Sequence, residues 1–303
     1  VDTPTNTLVH PAVALAIGAG SVLVGFLPWL VTGMRLPLQN LWAEGTPPDA
    51  MPVALLPFSQ YALTAIAGIL VMSAVPAGLA LRMLPPRAPR FGLLLALAVI
   101  VVLQVVAVAQ TAAVVSGGLR ADGRVRLYVA GLVAVCVLAI AVGAACAALY
   151  AKAPAAGAIA ASAFAGIALS WWVSSLFGVL GVWSAPDWVL PLLRWVAPVA
   201  IGAAIAWWGV ASAGRAAAAV FALLMLWLVP GVVTGVVNAV GTRVLANDPA
   251  AMLDYGFGVM RQALFVPEFV LPPLAVAVAV AVVGSILRMV VRRTRAHAPA
   301  RSV

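Results

Sequence analysis

The sequence predicts an all-α fold, a polytopic α-helical membrane bundle of about eight transmembrane helices with short cytoplasmic loops and longer first and last extracytoplasmic loops. Three observations lead there. Apolar side chains make up 65% of the 303 residues and charged ones only 8%, with a mean hydropathy of +1.15. Soluble domains hold about 45–50% apolar and about 25% charged residues. Eight stretches reach the roughly 20 apolar residues that a bilayer core requires. They are 11–34, 61–81, 91–115, 127–150, 158–183, 191–213, 216–237 and 270–288, and no Asp, Glu, Lys, Arg or His falls in the middle third of any of them. A single transmembrane domain over 1–289 and a basic cytoplasmic tail over 290–303 account for the sequence. Disorder, a disulfide-stapled secreted module and a sizeable soluble catalytic domain are excluded, because no polar stretch is long enough to wrap a core.

The first span follows residues that include Asp2 but no Lys or Arg, so it lacks the basic leader of a cleaved signal peptide and is expected to persist. The next connection, 35–60, carries Pro37, Pro47, Pro48, Pro52 and Pro57, which predicts an ordered, irregular excursion. The third span holds Gln104 and Thr111 on nearly one face, and the seventh holds Thr234 and Asn238 near its outer end. All four are expected to make interhelical hydrogen bonds, worth about 0.6–2 kcal/mol each.

The fourth span contains both cysteines, Cys136 and Cys146. Ten residues of helix separate them by about 15 Å, too far for a disulfide. His10 and His297 lie at opposite chain ends, so no metal spacing exists and no cofactor is implied. The fifth span repeats small residues every four positions: Ser162, Gly166, Ser170, Ser174 and Gly178. Each step advances about 40° beyond a full turn, giving a slowly winding stripe suited to close helix approach. Gly231 and Gly235 repeat the device in the seventh span. The paired tryptophans Trp171–Trp172 and Trp207–Trp208 point about 100° apart on a helix, so one of each pair can face lipid while the other packs inward. In the 238–269 connection, Asn247 or Asp248 can cap a helix with Pro249 in its first turn, continuing over 250–264 along the membrane surface.

Basic residues favour short cytoplasmic loops. With both termini inside, ten lie in the cytoplasm (Arg82, Arg87, Arg90, Lys152, Arg215, Arg288, Arg292, Arg293, Arg295, Arg301) and seven outside (Arg35, Arg120, Arg124, Arg126, Arg194, Arg243, Arg261). Glu44, Asp49, Asp122, Asp187, Asp248, Asp254 and Glu268 all fall outside, and the 116–126 loop with three arginines is the one dissenting segment. The expected location is the plasma membrane. An outer aromatic belt of Trp29, Trp42, Tyr61, Tyr128, Trp183, Trp188, Trp195 and Trp227 agrees. The basic tail is expected to hold anionic lipid headgroups.

A formal charge of +9 would suit nucleic acid, but these arginines sit between hydrophobic segments rather than on a solvated basic face, so nucleic acid is excluded as a partner. No Walker loop, GxSxG, HExxH or paired CxxC is present. The residues left to carry function cluster in the two long outer loops: Arg35, Gln39, Asn40 and Glu44 in one, Asp254, Arg261 and Glu268 in the other. Buried charge is tolerable mainly when paired, so these loops are expected to touch as a cap, with Arg35 or Arg261 paired to an acid of the other loop and a ligand entering beneath. The preferred reading is a non-enzymatic permease-like protein for a small or lipidic solute, or a membrane-complex subunit that docks a partner or a second copy through its small-residue stripes. The alternative is an extracytoplasmic-facing enzyme on a lipid-linked or phospholipid substrate, with an outer carboxylate as base and arginines holding phosphate.

Overall fold

In a bilayer every backbone N–H and C=O must find its partner inside the protein, and a helix supplies most of them from its own segment. The apolar runs accordingly form α1 (Pro11–Leu30), α2 (Leu63–Met72), α3 (Val75–Met83), α4 (Arg90–Gly118), α5 (Gly123–Lys152), α6 (Ala155–Ser174), α7 (Leu190–Leu193), α8 (Val196–Trp208), α9 (Ala213–Gly241), α10 (Pro249–Phe265) and α11 (Pro267–Ala296). The computed structural model describes residues 11–39, 42, 43, 45–84, 90–120, 123–179, 186–242, 244, 245 and 248–296. Among the described residues eight helical stretches are long and apolar enough to cross a membrane, and the chain is a multi-pass integral membrane protein built as an all-α bundle.

The ends of α3, α5, α8 and α11 gather at one end of the bundle, here the tail end. The 31–62 connection and the junction of α9 with α10 lie at the other, the loop end.

The second span is not one helix. Pro76 has no N–H, and its ring displaces the chain from the carbonyl four residues earlier. The helix breaks at Ser73–Ala74, and neighbouring side chains take the freed groups. The Ala74 N–H turns to the Val71 carbonyl (3.1 Å), leaving the Leu70 carbonyl to accept from Gln104 Nε2 of α4 (2.7 Å). The Ala77 N–H donates to Ser21 Oγ of α1 (3.1 Å), and the Ser73 hydroxyl donates to the Ile69 carbonyl (2.6 Å). Neighbours reach this close because glycines remove the intervening Cβ. A Cβ on Gly25 would lie 2.4 Å from the Ser73 nitrogen, one on Gly68 2.8 Å from the Trp172 nitrogen, and one on Gly78 2.5 Å from the Ala147 carbonyl oxygen.

The proline-rich connection is irregular, with a 3-10 turn at Pro48–Ala50, and it folds back into the bundle instead of spreading over it. Met51, Ala54, Leu56 and Phe58 are buried as deeply as any helical core residue. Non-helical backbone is tolerated there only when protein satisfies it. Leu55 N–H donates to Gln110 Oε1 and Leu56 N–H to Thr111 Oγ1, both at 2.9 Å, while the Trp29 indole donates to the Ala54 carbonyl (2.8 Å). Trp29 is therefore a core residue, not a member of an interfacial belt.

α10 begins as expected: Asp248 is its N-cap, accepting from the Ala251 N–H at 3.0 Å, with Pro249 in the first turn. Its direction differs from the expectation of a helix along the membrane surface. It runs antiparallel along α9, setting Gly256 on Ala239, Met260 on Gly235 and Leu264 on Gly231. The glycines explain this, because they let two backbones lie close along about 12 Å of helix.

Candidate functional site: a cavity among the last helices

After α10 the chain turns at Val266 and restarts at Pro267. This elbow lays α10 on α9 and α11 on α8, where Gly202 meets Ala277 and Gly284 meets Ala206. α6 forms the back wall, since Gly166 lies against Ile201 of α8 and Phe164 against Phe221 of α9, with ring centroids 6.2 Å apart. Between the two helix pairs the wedge is not filled. It leaves a partly open cavity of about 440 Å³, within the range of small-molecule sites.

The walls are chiefly apolar and aromatic: Ile167 and Trp171 from α6, Leu226, Trp227 and Pro230 from α9, Phe269, Val270 and Leu274 from α11. Four polar residues interrupt them, Ser170, Arg194, Thr234 and Gln262. The Trp227 indole N–H is occupied by the Leu264 carbonyl (2.8 Å), and the Thr234 hydroxyl by the Pro230 carbonyl of its own helix (2.7 Å). Among the described residues the Ser170 hydroxyl and the Gln262 amide have no hydrogen-bond partner. Arg194 is the single charge in the lining, its guanidinium 4.3 Å over the Trp195 ring. The lining offers hydrophobic surface, a few uncommitted donors and one cation. The Ser170 hydroxyl has no His, Lys or carboxylate among the lining residues to activate it.

Among the described residues, those anticipated as an outer cap do not come together. Asn40, Glu44, Asp122, Arg243 and Asn247 lie outside the described residues. Arg35 Nη1 donates to the Met51 carbonyl within its own loop (3.2 Å). Gln39 ties that loop together, donating to the Pro37 and Phe58 carbonyls and accepting from the Tyr128 hydroxyl, each at 2.8 Å. Asp254, Arg261 and Glu268 are exposed on α10 and α11, and among the described residues no ion pair joins Arg35 or Arg261 to an acid of the other loop. The loops approach each other where a Cβ on Gly241 would come 3.8 Å from the Tyr61 ring.

The four polar residues expected to bond between helices divide three ways. Gln104 reaches another helix and Thr111 holds the buried loop, whereas Thr234 and Asn238 bond only carbonyls of α9. The small-residue stripe winds across two helices and onto the cavity instead of facing one neighbour. Ser162 shares a 2.8 Å hydrogen bond with Tyr150 of α5, Gly166 meets α8, and Ser170 opens onto the cavity, with Ser174 half-buried beyond it. Gly178 falls in the π-helical turn Ser175–Val179 that ends the span. Sequence reasoning passed over Gln110 and Gln262. The first had a signal, a Gln-Thr pair in an otherwise apolar helix, and the second had none.

Among the described residues no group of His, Cys, Asp and Glu could hold a metal, and both cysteines are free and buried. Comparison with family models, curated proteins and solved structures found no match.

Proposed function

We propose that the protein is a non-enzymatic, permease-like membrane protein that takes an amphiphilic solute into the cavity between α6 and the last helices. The observation that supports this most is the lining itself, an apolar pocket of 440 Å³ with one guanidinium and uncommitted hydroxyl and amide groups. An aliphatic chain would gain about 25 cal/mol per Å² of area removed from water, and the polar groups would orient its head. The orientation we propose follows the basic residues, with the loop end outside the cell and the tail end and both termini in the cytoplasm of the plasma membrane.

A fluorescent fatty acid titrated into the purified protein tests the reading. Ser170→Leu, which puts a bulky side chain into the cavity, should weaken binding about tenfold, since one or a few methylenes of misfit are worth about 1–3 kcal/mol. Arg194→Gln should weaken an anionic probe more than a neutral one of the same chain length. Unchanged affinity in Ser170→Leu would remove the cavity as the site. The carboxylates Asp49, Asp254 and Glu268 lie outside the lining, so no observation favours the lipid-modifying alternative.

A further inference from the structure

Three arginines from three different helices converge at the tail end on the C-termini of α5 and α8. Arg82 of α3 donates to the Tyr150 and Ala153 carbonyls at 2.7 and 2.9 Å, and its guanidinium carbon lies 4.3 Å over the Trp208 ring. Arg215 of α9 donates to the Trp208 carbonyl at 3.2 Å. Arg288 of α11 donates to the carbonyls of Ala206, at 3.2 Å, and Trp207. These are the last carbonyls of each helix, which have no partner within it. Capping therefore explains part of the cluster.

It does not explain the charge. A helix C-terminus carries about half a negative charge, so two of them offset roughly one of the three guanidiniums. Carboxylates do not make up the difference, because no Asp or Glu occurs anywhere in residues 50–121, 123–186, 188–247 or 269–303, the segments that supply these helices. Each guanidinium has five N–H donors and spends at most two on carbonyls. All three are only half-buried, and Trp207 beside them is 70% exposed, Met83 87% and Leu287 60%. Surplus cation, unused planar donors and exposed apolar side chains at one end of a membrane bundle form a site for a group that is anionic on one side and oily on the other.

We propose that Arg82, Arg215 and Arg288 bind the phosphate of a net-anionic phospholipid, whose acyl chains lie on the surface beside Trp207 and Leu287. Arginine suits this because its fork matches phosphate oxygens two at a time. The site is distinct from a diffuse attraction of the tail, since two of its three members belong to α3 and α9. It is also separate from the cavity, which touches the opposite end of α8 at Ala197 and Pro198.

Native mass spectrometry with phosphatidylglycerol and phosphatidylcholine of identical chains tests it. The wild-type protein should retain phosphatidylglycerol about tenfold more tightly, and the Arg215→Gln/Arg288→Gln pair should lose about tenfold in that affinity, while Arg292→Gln on the exposed tail changes it less than about twofold. Should the pair fail to fold, Arg215→Gln alone carries the same test, because the Ser212 cap of α9 is left in place. Inorganic phosphate in millimolar excess should not displace the lipid. Equal retention of the two lipids, an equal loss in the tail variant, or displacement by free phosphate would each overturn the proposal, the first two leaving helix capping as the arginines' whole role.

Discussion

Helices of the same apolar character are packed in two different ways in this molecule. Of the second span's apolar window, 72% is buried inside the bundle, against 6% of the last span's. Around α2 and α3 the buried polar side chains Ser21, Gln104 and Thr111 are all spent on backbone groups that the broken helix and the folded-back loop leave unpaired. Around α6, α8, α9, α10 and α11 a cavity remains, and Ser170, Gln262 and Arg194 face it. The contrast teaches that polarity inside this bundle has two meanings. Where the packing is tight it completes the fold, and where the packing is loose it is available to something else.

The sharpest way to break that contrast is to disturb the tight side. Gly25→Leu would place a side chain within the backbone of Ser73, and we expect a loss above about 3 kcal/mol or no folded protein. Gly20→Leu on the same helix, where nothing lies within 4 Å of a Cβ, is the control and should change stability by less than about 0.5 kcal/mol. Thermal unfolding in detergent measures both, and similar behaviour would mean that α1 does not sit against the break. Next in size is Gln104→Leu, which keeps the volume but orphans the Leu70 carbonyl in a dry site, at about 1–3 kcal/mol. A melting temperature equal to wild type would show that the break closes its bonds another way.

The smallest effect compares two neighbours on the α6 stripe. Gly166→Leu drives into Ile201 and should cost about 1–3 kcal/mol, whereas Ser170→Leu enters open volume and should stay within about 0.5 kcal/mol. Equal destabilisation would mean that the cavity is closed in solution.

The fold class, the eight spans and the capped helix at 249 are legible in the sequence because each depends on local features: an apolar run, a proline, an Asp before it. What could not be read is which polar residue meets which backbone group. Gln104 and Asn238 look alike in sequence, single amides on apolar helices. One reaches a carbonyl freed by a proline 28 residues earlier, and the other folds back on its own helix. The stripe from Ser162 to Ser174 misled for a related reason. A period of four is legible, but its 40° drift per step carries it across two helices, and only the packing shows where contact ends and the cavity begins. Charge balance between two loops does not say which groups pair, and among the described residues neither Arg35 nor Arg261 meets an acid of the other loop. Arg35 found a carbonyl in its own loop first.

The break in the second span also has a consequence for biosynthesis. The partner of its freed carbonyl comes later in the chain, since Gln104 follows Leu70 by 34 residues. At about 5–20 residues per second, Gln104 arrives roughly 2–7 s after its acceptor has been made. Until then an unpaired carbonyl in hydrocarbon would cost several kcal/mol. A nascent chain carrying only its first two spans therefore has reason to wait at the wet boundary or inside the insertion machinery. The second span is threaded early and finished late.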